Sequence, residues 1–533
     1  MDARFFVKIS IDTYTGSGSP AHVTATQIVI NYPPHRKSGL YSVPPRVRIE
    51  SSMCCIQLRC SEEAFDRMDN QRMMLFEQTP VPEAVMKLAV PTVLSSLVMV
   101  IYNLADTYFV GMMNNPVQNA AVTLAAPVLL AFNAVNNLFG VGSSSMMSRA
   151  LGRKDYDTVR RSSAFGFYCA LFCGIVFSLV CTVFLGPLLL LLGADANTME
   201  ATAGYLKWTV LCGAAPAILN VVMAYMVRAE GSSLHASLGT MSGCLLNMIL
   251  DPIFILPWGL NMGAAGAGLA TFLSNCVACL YFFVLLYVRR KSTYVCIHPR
   301  MFSMKKAIVF GVCGVGIPAS IQNLLNVTGM TILNNFTSVY GAQAVAAMGI
   351  AQKINMVPMQ VAMGFSQGIM PLISYSYASG NHKRMRESIF FAAKTMLPFL
   401  AAVSLAFFFG AGAFIRLFMN NAEIIAYGTR FLRGFCLGLC FLCMDFLAVG
   451  VFQAVGMGRS ALCFAILRKI VLEIPALYVL NRLVPLYGLA YAQFSAEFVL
   501  AVAAVCMLYR IFKKMQMEDR AAGIQSADKL NEK

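Results

Sequence analysis

Asn247 and Asp251 stand four residues apart in the run Gly243-Cys-Leu-Leu-Asn-Met-Ile-Leu-Asp-Pro-Ile-Phe-Ile-Leu-Pro257, so a helix through them sets both on one face. An ionised carboxylate held among apolar residues is costly. Such a group usually faces an interior cavity and works by gaining and losing a proton or cation. Asn247 can donate to or accept from that carboxyl group. Pro252 has no N–H, which leaves the Met248 carbonyl without its helical partner and free to face a ligand or water. A second carboxylate, Asp106, sits in Tyr102-Asn-Leu-Ala-Asp-Thr-Tyr-Phe-Val-Gly111. A hydrogen-bonded structural Asp would satisfy the same pattern at 251, and a helix-end carboxylate at 106. Two titratable groups that serve one site would bind and release cations together.

The elements that must position these residues are transmembrane helices. Of the 533 residues, 58% are hydrophobic and only 12% charged, about half the charged share of an ordinary soluble domain. Mean hydropathy is +0.65. Apolar stretches long enough to cross a core of about 30 Å recur twelve times, near 84–110, 120–148, 163–192, 203–228, 235–257, 263–288, 307–340, 344–377, 389–418, 426–455, 461–481 and 487–511. The net charge of +16 could suggest nucleic acid, but its distribution excludes that partner. Arg149, Arg153, Lys154, Arg160 and Arg161 crowd one loop, Arg289, Arg290, Lys291, Arg300, Lys305 and Lys306 another, and Lys383, Arg384 and Arg386 a third. The intervening loops 111–119, 193–202, 258–262, 341–343 and 419–425 contain no Lys or Arg. This alternation places the basic loops and both termini in the cytoplasm and favours an even number of spans in the cell membrane.

Other chemistries find no support. Most of the seventeen cysteines fall in or beside the spans, where a thiol is a small apolar filler. Cys276/Cys279 and Cys440/Cys443 have redox-like spacing but lie inside lipid-length helices. HExxH, GxSxG and P-loop patterns are missing, and five scattered histidines make no ligand cluster. No enzyme activity and no cofactor are expected; without an ATP site, uphill transport must draw on an ion gradient. Residues 1–74, bearing Pro33-Pro34 and Pro44-Pro45, read as a disordered tail or as a start placed too far upstream, with Met68, Met73 and Met74 as later candidates.

The chain repeats itself. Its two sets of six spans begin near 84 and 307, and Gly140–Gly152 can be laid on Gly368–Gly380 with four identities. Because six is even, both halves start on the same side, and the repeat is parallel. The expected organisation is a six-helix bundle over 75–290, a cytoplasmic linker over 291–306, a second bundle over 307–511 and a cytoplasmic tail over 512–533. The fold class is all-α integral membrane, with a central cleft between bundles that suits alternating access.

On the first-span pattern ending Asp106-Thr-Tyr-Phe-Val-Gly111, the Gly152-Arg-Lys-Asp loop, Asn247-x-x-x-Asp251-Pro252 and Gly380, the chain resembles the multidrug and toxic compound extrusion (MATE) family over about 75–515, and most closely its DinF-like and MepA-like bacterial branch. The resemblance implies a cation site in the first bundle built from Asp106, Asn247 and Asp251, with Asn220 and Thr271 completing it. It implies export of lipophilic or cationic small molecules by antiport with a proton or Na+, the proton favoured, with the lipid bilayer as the other partner and a monomer as the working unit. A lipid-linked precursor flippase of the same superfamily is the alternative. One departure stands out: the seventh span has Gln322, Asn326, Asn334 and Asn335 but no acid, so the NorM-like sodium site has no counterpart there. Asp445 is left as an auxiliary polar group. Asn103, Gln322, Asn326 and Asp445 are candidates to line the substrate cleft, where the 33 methionines and 37 phenylalanines would add adaptable apolar contact.

Overall fold

The computed structural model describes residues 10–12, 27–29, 74–113, 115–419 and 421–531, with side chains to 517. In the N-terminal unit, β1 (Ser10–Asp12) pairs antiparallel with β2 (Gln27–Val29), Ile11 opposite Ile28. The remainder of 1–73, and with it the expectation of a disordered tail, lies outside the described residues.

Within 74–531, helices dominate because the bilayer leaves the backbone no other way to satisfy its polar groups. Nine described helices are long and apolar enough to span: α1 (Val81–Met112), α2 (Pro116–Gly152), α3 (Tyr156–Val183), α5 (Ser233–Ile255), α6 (Gly263–Val288), α7 (Lys306–Ser338), α8 (Ala342–Ala378), α9 (His382–Arg416) and α12 (Gly488–Met517). Two more are bent pairs: α4 (Met199–Cys212 with Ala214–Ala229, 50°) and α10 (Ala422–Leu437 with Leu439–Ala454, 45°). The twelfth, α11, runs as Gly458–Ile466, a π-helical turn Leu467–Glu473 and Ile474–Leu483. Arg468, Lys469 and Glu473 within it explain why apolarity alone marks it weakly. Large apolar side chains such as Phe172, Val288 and Phe409 face outward at 67%, 73% and 77% exposure, as lipid contact requires.

The halves show their repeat in matched devices. Pro91 lies inside α1 and Pro318 inside α7. After α2 the backbone turns at Lys154 (φ 59), and Asp155 caps α3 by accepting from the Thr158 N–H at 3.1 Å. After α8 it turns at Gly380 (φ 75), and Asn381 caps α9 by accepting from the Arg384 N–H at 3.0 Å. The structural register therefore pairs Lys154 with Gly380. This corrects the textual match of Gly152 with Gly380 by two residues. Small residues that can align by chance misled the comparison, whereas a left-handed turn followed by an N-cap cannot slide.

The bundles meet tightly at the end that bears the basic loops. A Cβ on Gly142 of α2 would stand 2.5 Å from the Val312 carbonyl oxygen of α7, so only glycine allows this approach. Ser145 Oγ donates to the Gln453 carbonyl at 2.6 Å, and Ser320 Oγ to the Ala134 carbonyl at 2.5 Å, both across the interface. Arg149 reaches from α2 to the Gly311 carbonyl at 3.4 Å.

Candidate functional site

α5 buries Asn247 and Asp251 on one face, Asp251 fully. The Asn247 amide nitrogen faces the carboxylate, because the opposite orientation would set oxygen against oxygen. It donates to Asp251 Oδ2 at 2.8 Å and Oδ1 at 3.3 Å, while the amide oxygen accepts from the Thr271 backbone N–H at 3.1 Å. Thr271 Oγ1 donates to the Ala267 carbonyl at 3.0 Å, which fixes it on α6. In the opposite orientation the amide nitrogen would donate to Thr271 Oγ1 at 3.3 Å but would also meet the Thr271 N–H, donor against donor.

Asp106, half-buried on α1, lies within electrostatic reach of Asp251. Tyr102 and Tyr205 lie within electrostatic range of both acids. Asn220 is buried but bonds Asn275, its Nδ2 donating at 2.8 Å, and so supports α6 rather than touching Asp251 directly. Among the described residues no salt bridge reaches Asp106 or Asp251.

A small cavity opens between the bundles. Gln322 and Asn326 line it, together with Asn137, Asn323, Gln367 and Gln453. Asn103 does not: it is exposed, and its amide donates to the Met99 carbonyl of its own helix at 2.9 Å. Asp445 does not line it either, although its neighbour Phe446 does. Asp445 is buried against Arg468, Nη1 to Oδ2 at 3.1 Å. Arg468 also grips Glu497 through Nε at 2.9 Å and Nη2 at 2.5 Å, and Lys469 pairs with Glu473 at 2.6 Å. Three carboxylates of the second bundle thus gather around two buried cations.

The MatE family model matches the chain twice, over residues 91–253 and 318–479. The chain belongs to the MATE family. It is 32% identical over 460 residues to the multidrug export protein MepA of Staphylococcus haemolyticus (strain JCSC1435), covering 86% of this chain and all of that protein. The MepA of Staphylococcus aureus (strain MRSA252) is 31% identical over 85% of this chain and 98% of its own length. Among solved structures, the outward-facing conformation of a multidrug resistance MATE family transporter of the MOP superfamily superposes with a TM-score of 0.79 at 25% identity, over 84% of this chain and 98% of that one. A MATE chain is a multi-pass membrane transporter and not an enzyme.

The two matches lie about 226 residues apart, the register set by the Lys154/Gly380 turns. Sequence reasoning passed over three polar residues around this cluster. Asn275 falls one turn after Thr271 and could have been found by that spacing. Tyr102 falls one turn before Asp106 and was open to the same logic. Tyr205 comes from the first arm of α4, where nothing local marks it.

Proposed function

We propose that this MATE chain exports lipophilic small molecules from the cytoplasm in exchange for a cation, a proton in preference to sodium, with Asp251 and Asp106 as the coupling groups. The observation that carries the reading is a fully buried carboxylate with an amide partner and no fixed counter-charge. A buried anion without a resident cation is costly, so binding a mobile one stabilises it strongly. A ligand shifts a conformational equilibrium only by its differential affinity for the two states. Asp251 supplies that difference if its surroundings change as the bundles move, and Pro252 gives α5 a bending point beside it. The relatives named as multidrug export proteins support the direction of transport. The proton is favoured because α7 has no carboxylate to complete an acid-rich sodium site. In this reading the basic loops, the closed end and both termini face the cytoplasm, and the unit works as a monomer.

The test is uptake of a fluorescent lipophilic substrate into inside-out vesicles under an imposed pH gradient, repeated with a sodium gradient. Asp251→Asn is expected to lower pH-driven uptake by about tenfold or more. Undiminished uptake by that variant defeats the assignment, and a requirement for sodium alone replaces the proton. Lipid-precursor flipping in liposomes without substrate export would move the function to the flippase class.

A further inference from the structure

The linker between α6 and α7 carries charge that the protein does not answer. Between Asp251 and Glu387 the chain has no acidic residue, yet Arg289, Arg290, Lys291, Arg300, Lys305 and Lys306 all fall within 289–306. Arg289 is half-buried and donates from Nη2 to His235 Nε2 at 2.7 Å; the other five are exposed. Among the described residues no salt bridge holds any of them. Large apolar side chains stand between these cations. Tyr287, Val288, Met304 and Phe310 are all well exposed, Met304 at 64% and Phe310 at 73%. The Arg290 guanidinium lies 5.1 Å from the Tyr287 ring centroid, a cation kept beside an aromatic at the end of α6.

The segment is fixed rather than loose. Ser163 Oγ of α3 accepts from the Cys296 N–H at 2.9 Å, and the Tyr168 hydroxyl donates to the Ile297 carbonyl at 2.7 Å. Phe302 packs edge-on to Tyr168, with ring centroids 5.9 Å apart, and residues 292–295 are buried. The exposed cations and apolar groups therefore sit on a surface formed in advance, at little further cost in ordering. Its level is set by the spans: α6 ends at Val288 and α7 begins at Lys306, so the linker lies at the polar edge of the bilayer. Apolar side chains there enter the upper acyl region while Lys and Arg extend to the phosphates. A zwitterionic headgroup brings its own cation to the phosphate; an anionic one leaves that place to the protein. Clusters of this kind beside a spanning helix attract anionic lipid. A nucleic acid would meet the charge but leave Met304 and Phe310 in water.

We propose that the linker 289–306, with the adjoining ends of α6 and α7, is a docking site for anionic phospholipid headgroups in preference to zwitterionic ones. The site requires that the chain sit in a bilayer. It does not depend on the exporter reading, and its test does not require transport.

The full-length protein is reconstituted into nanodiscs of phosphatidylcholine, alone or mixed with phosphatidylglycerol of the same acyl chains, and amide exchange is read by mass spectrometry. Exchange over residues 298–306 is expected to be about tenfold slower with phosphatidylglycerol, and that of the outer loop 258–262 unchanged. Arg300→Gln, Lys305→Gln and Lys306→Gln combined should abolish the difference, whereas Arg300→Lys should keep it. All three side chains are exposed, so the triple variant should melt like the native protein. Equal exchange in the two lipids overturns the proposal, as does a folded triple variant that retains the native difference. If inorganic phosphate added to phosphatidylcholine discs slows exchange as much, the surface reads free phosphate and the lipid site falls. Loss of substrate uptake alone would bear on the exporter reading and leave the docking site standing.

Discussion

Asp155 and Asn381 do the same structural work in the two halves, but only Asp155 can titrate. The hydroxyl and N–H of Thr158 hold the Asp155 carboxyl below the usual carboxylate range, with Arg153 adding attraction. Its ionised form is therefore favoured by the fold. That contribution is fully present above the unfolded value of about 3.9 and is lost as pH falls through the lower folded value. Asp155→Asn keeps a cap but removes the titration. Native protein should melt at or above the Asn variant at pH 6 and lose that advantage near pH 3, by thermal unfolding in detergent. A difference that ignores pH would remove Asp155 from the acid response. Asp155→Ala, which abolishes the cap, should cost about 1 kcal/mol at either pH. At this scale the sequence was legible wherever a residue contradicts its own neighbourhood. Asp251 does so among apolar residues, and Asn247 and Thr271 follow from helical spacing or from family resemblance. Tyr205 was hidden because a buried tyrosine in an apolar helix breaks no local rule. Asp445 was misplaced for a related reason: its partner Arg468 arrives from another helix, so the residue alone looked free to face a cleft.

The segment that precedes α1 bridges the two bundles at the basic end. Phe76 is almost fully buried, stacked on Tyr375 of α8 at 4.8 Å and 12°, and against Gly231 between α4 and α5. Glu77 accepts from the Tyr375 hydroxyl at 2.6 Å, and Arg384 donates to the Leu75 carbonyl at 3.1 Å and the Thr79 carbonyl at 2.6 Å. If the bundles part at this end during transport, these contacts must break. Phe76→Ala should cost about 3 kcal/mol or more through the lost ring. It should also speed amide exchange over residues 74–79, which mass spectrometry reads directly. Unchanged exchange there would mean that Arg384 alone holds the segment; Arg384→Ala would then carry the effect. Elements were the best-read level of the sequence, because helix length is set by the bilayer and loop charge by topology. The bends of α4 and α10 and the π turn of α11 were not legible, since each depends on what packs against it. The repeat was visible, but its register was settled only by backbone turns.

Across the whole molecule, the register of about 226 residues sets Asn247 opposite Glu473, and continued into the next helices, which start at Gly263 and Gly488, it sets Thr271 opposite Glu497. The two bundles thus hold polar clusters at equivalent depth, with opposite provision for charge. The first keeps Asp251 without a tethered cation; the second encloses Arg468 and Lys469 as permanent ones. On this ground the ion gradient should act through the first bundle alone, with the second serving as a rigid partner whose acids share two tethered cations. Removing one charge there is a stability event. Arg468→Met leaves the buried Asp445 and Glu497 uncompensated and should cost about 3–5 kcal/mol. Neutralising all three together, with Arg468→Met, Asp445→Asn and Glu497→Gln, should recover most of that loss, since desolvation of the ions disappears along with their attraction. In proteoliposomes the triple variant should still show pH-driven uptake, whereas Asp251→Asn should not. A triple variant that folds and melts normally yet loses gradient-driven uptake would make the second bundle a coupling site in its own right, and the asymmetry between the halves would then concern affinity rather than function.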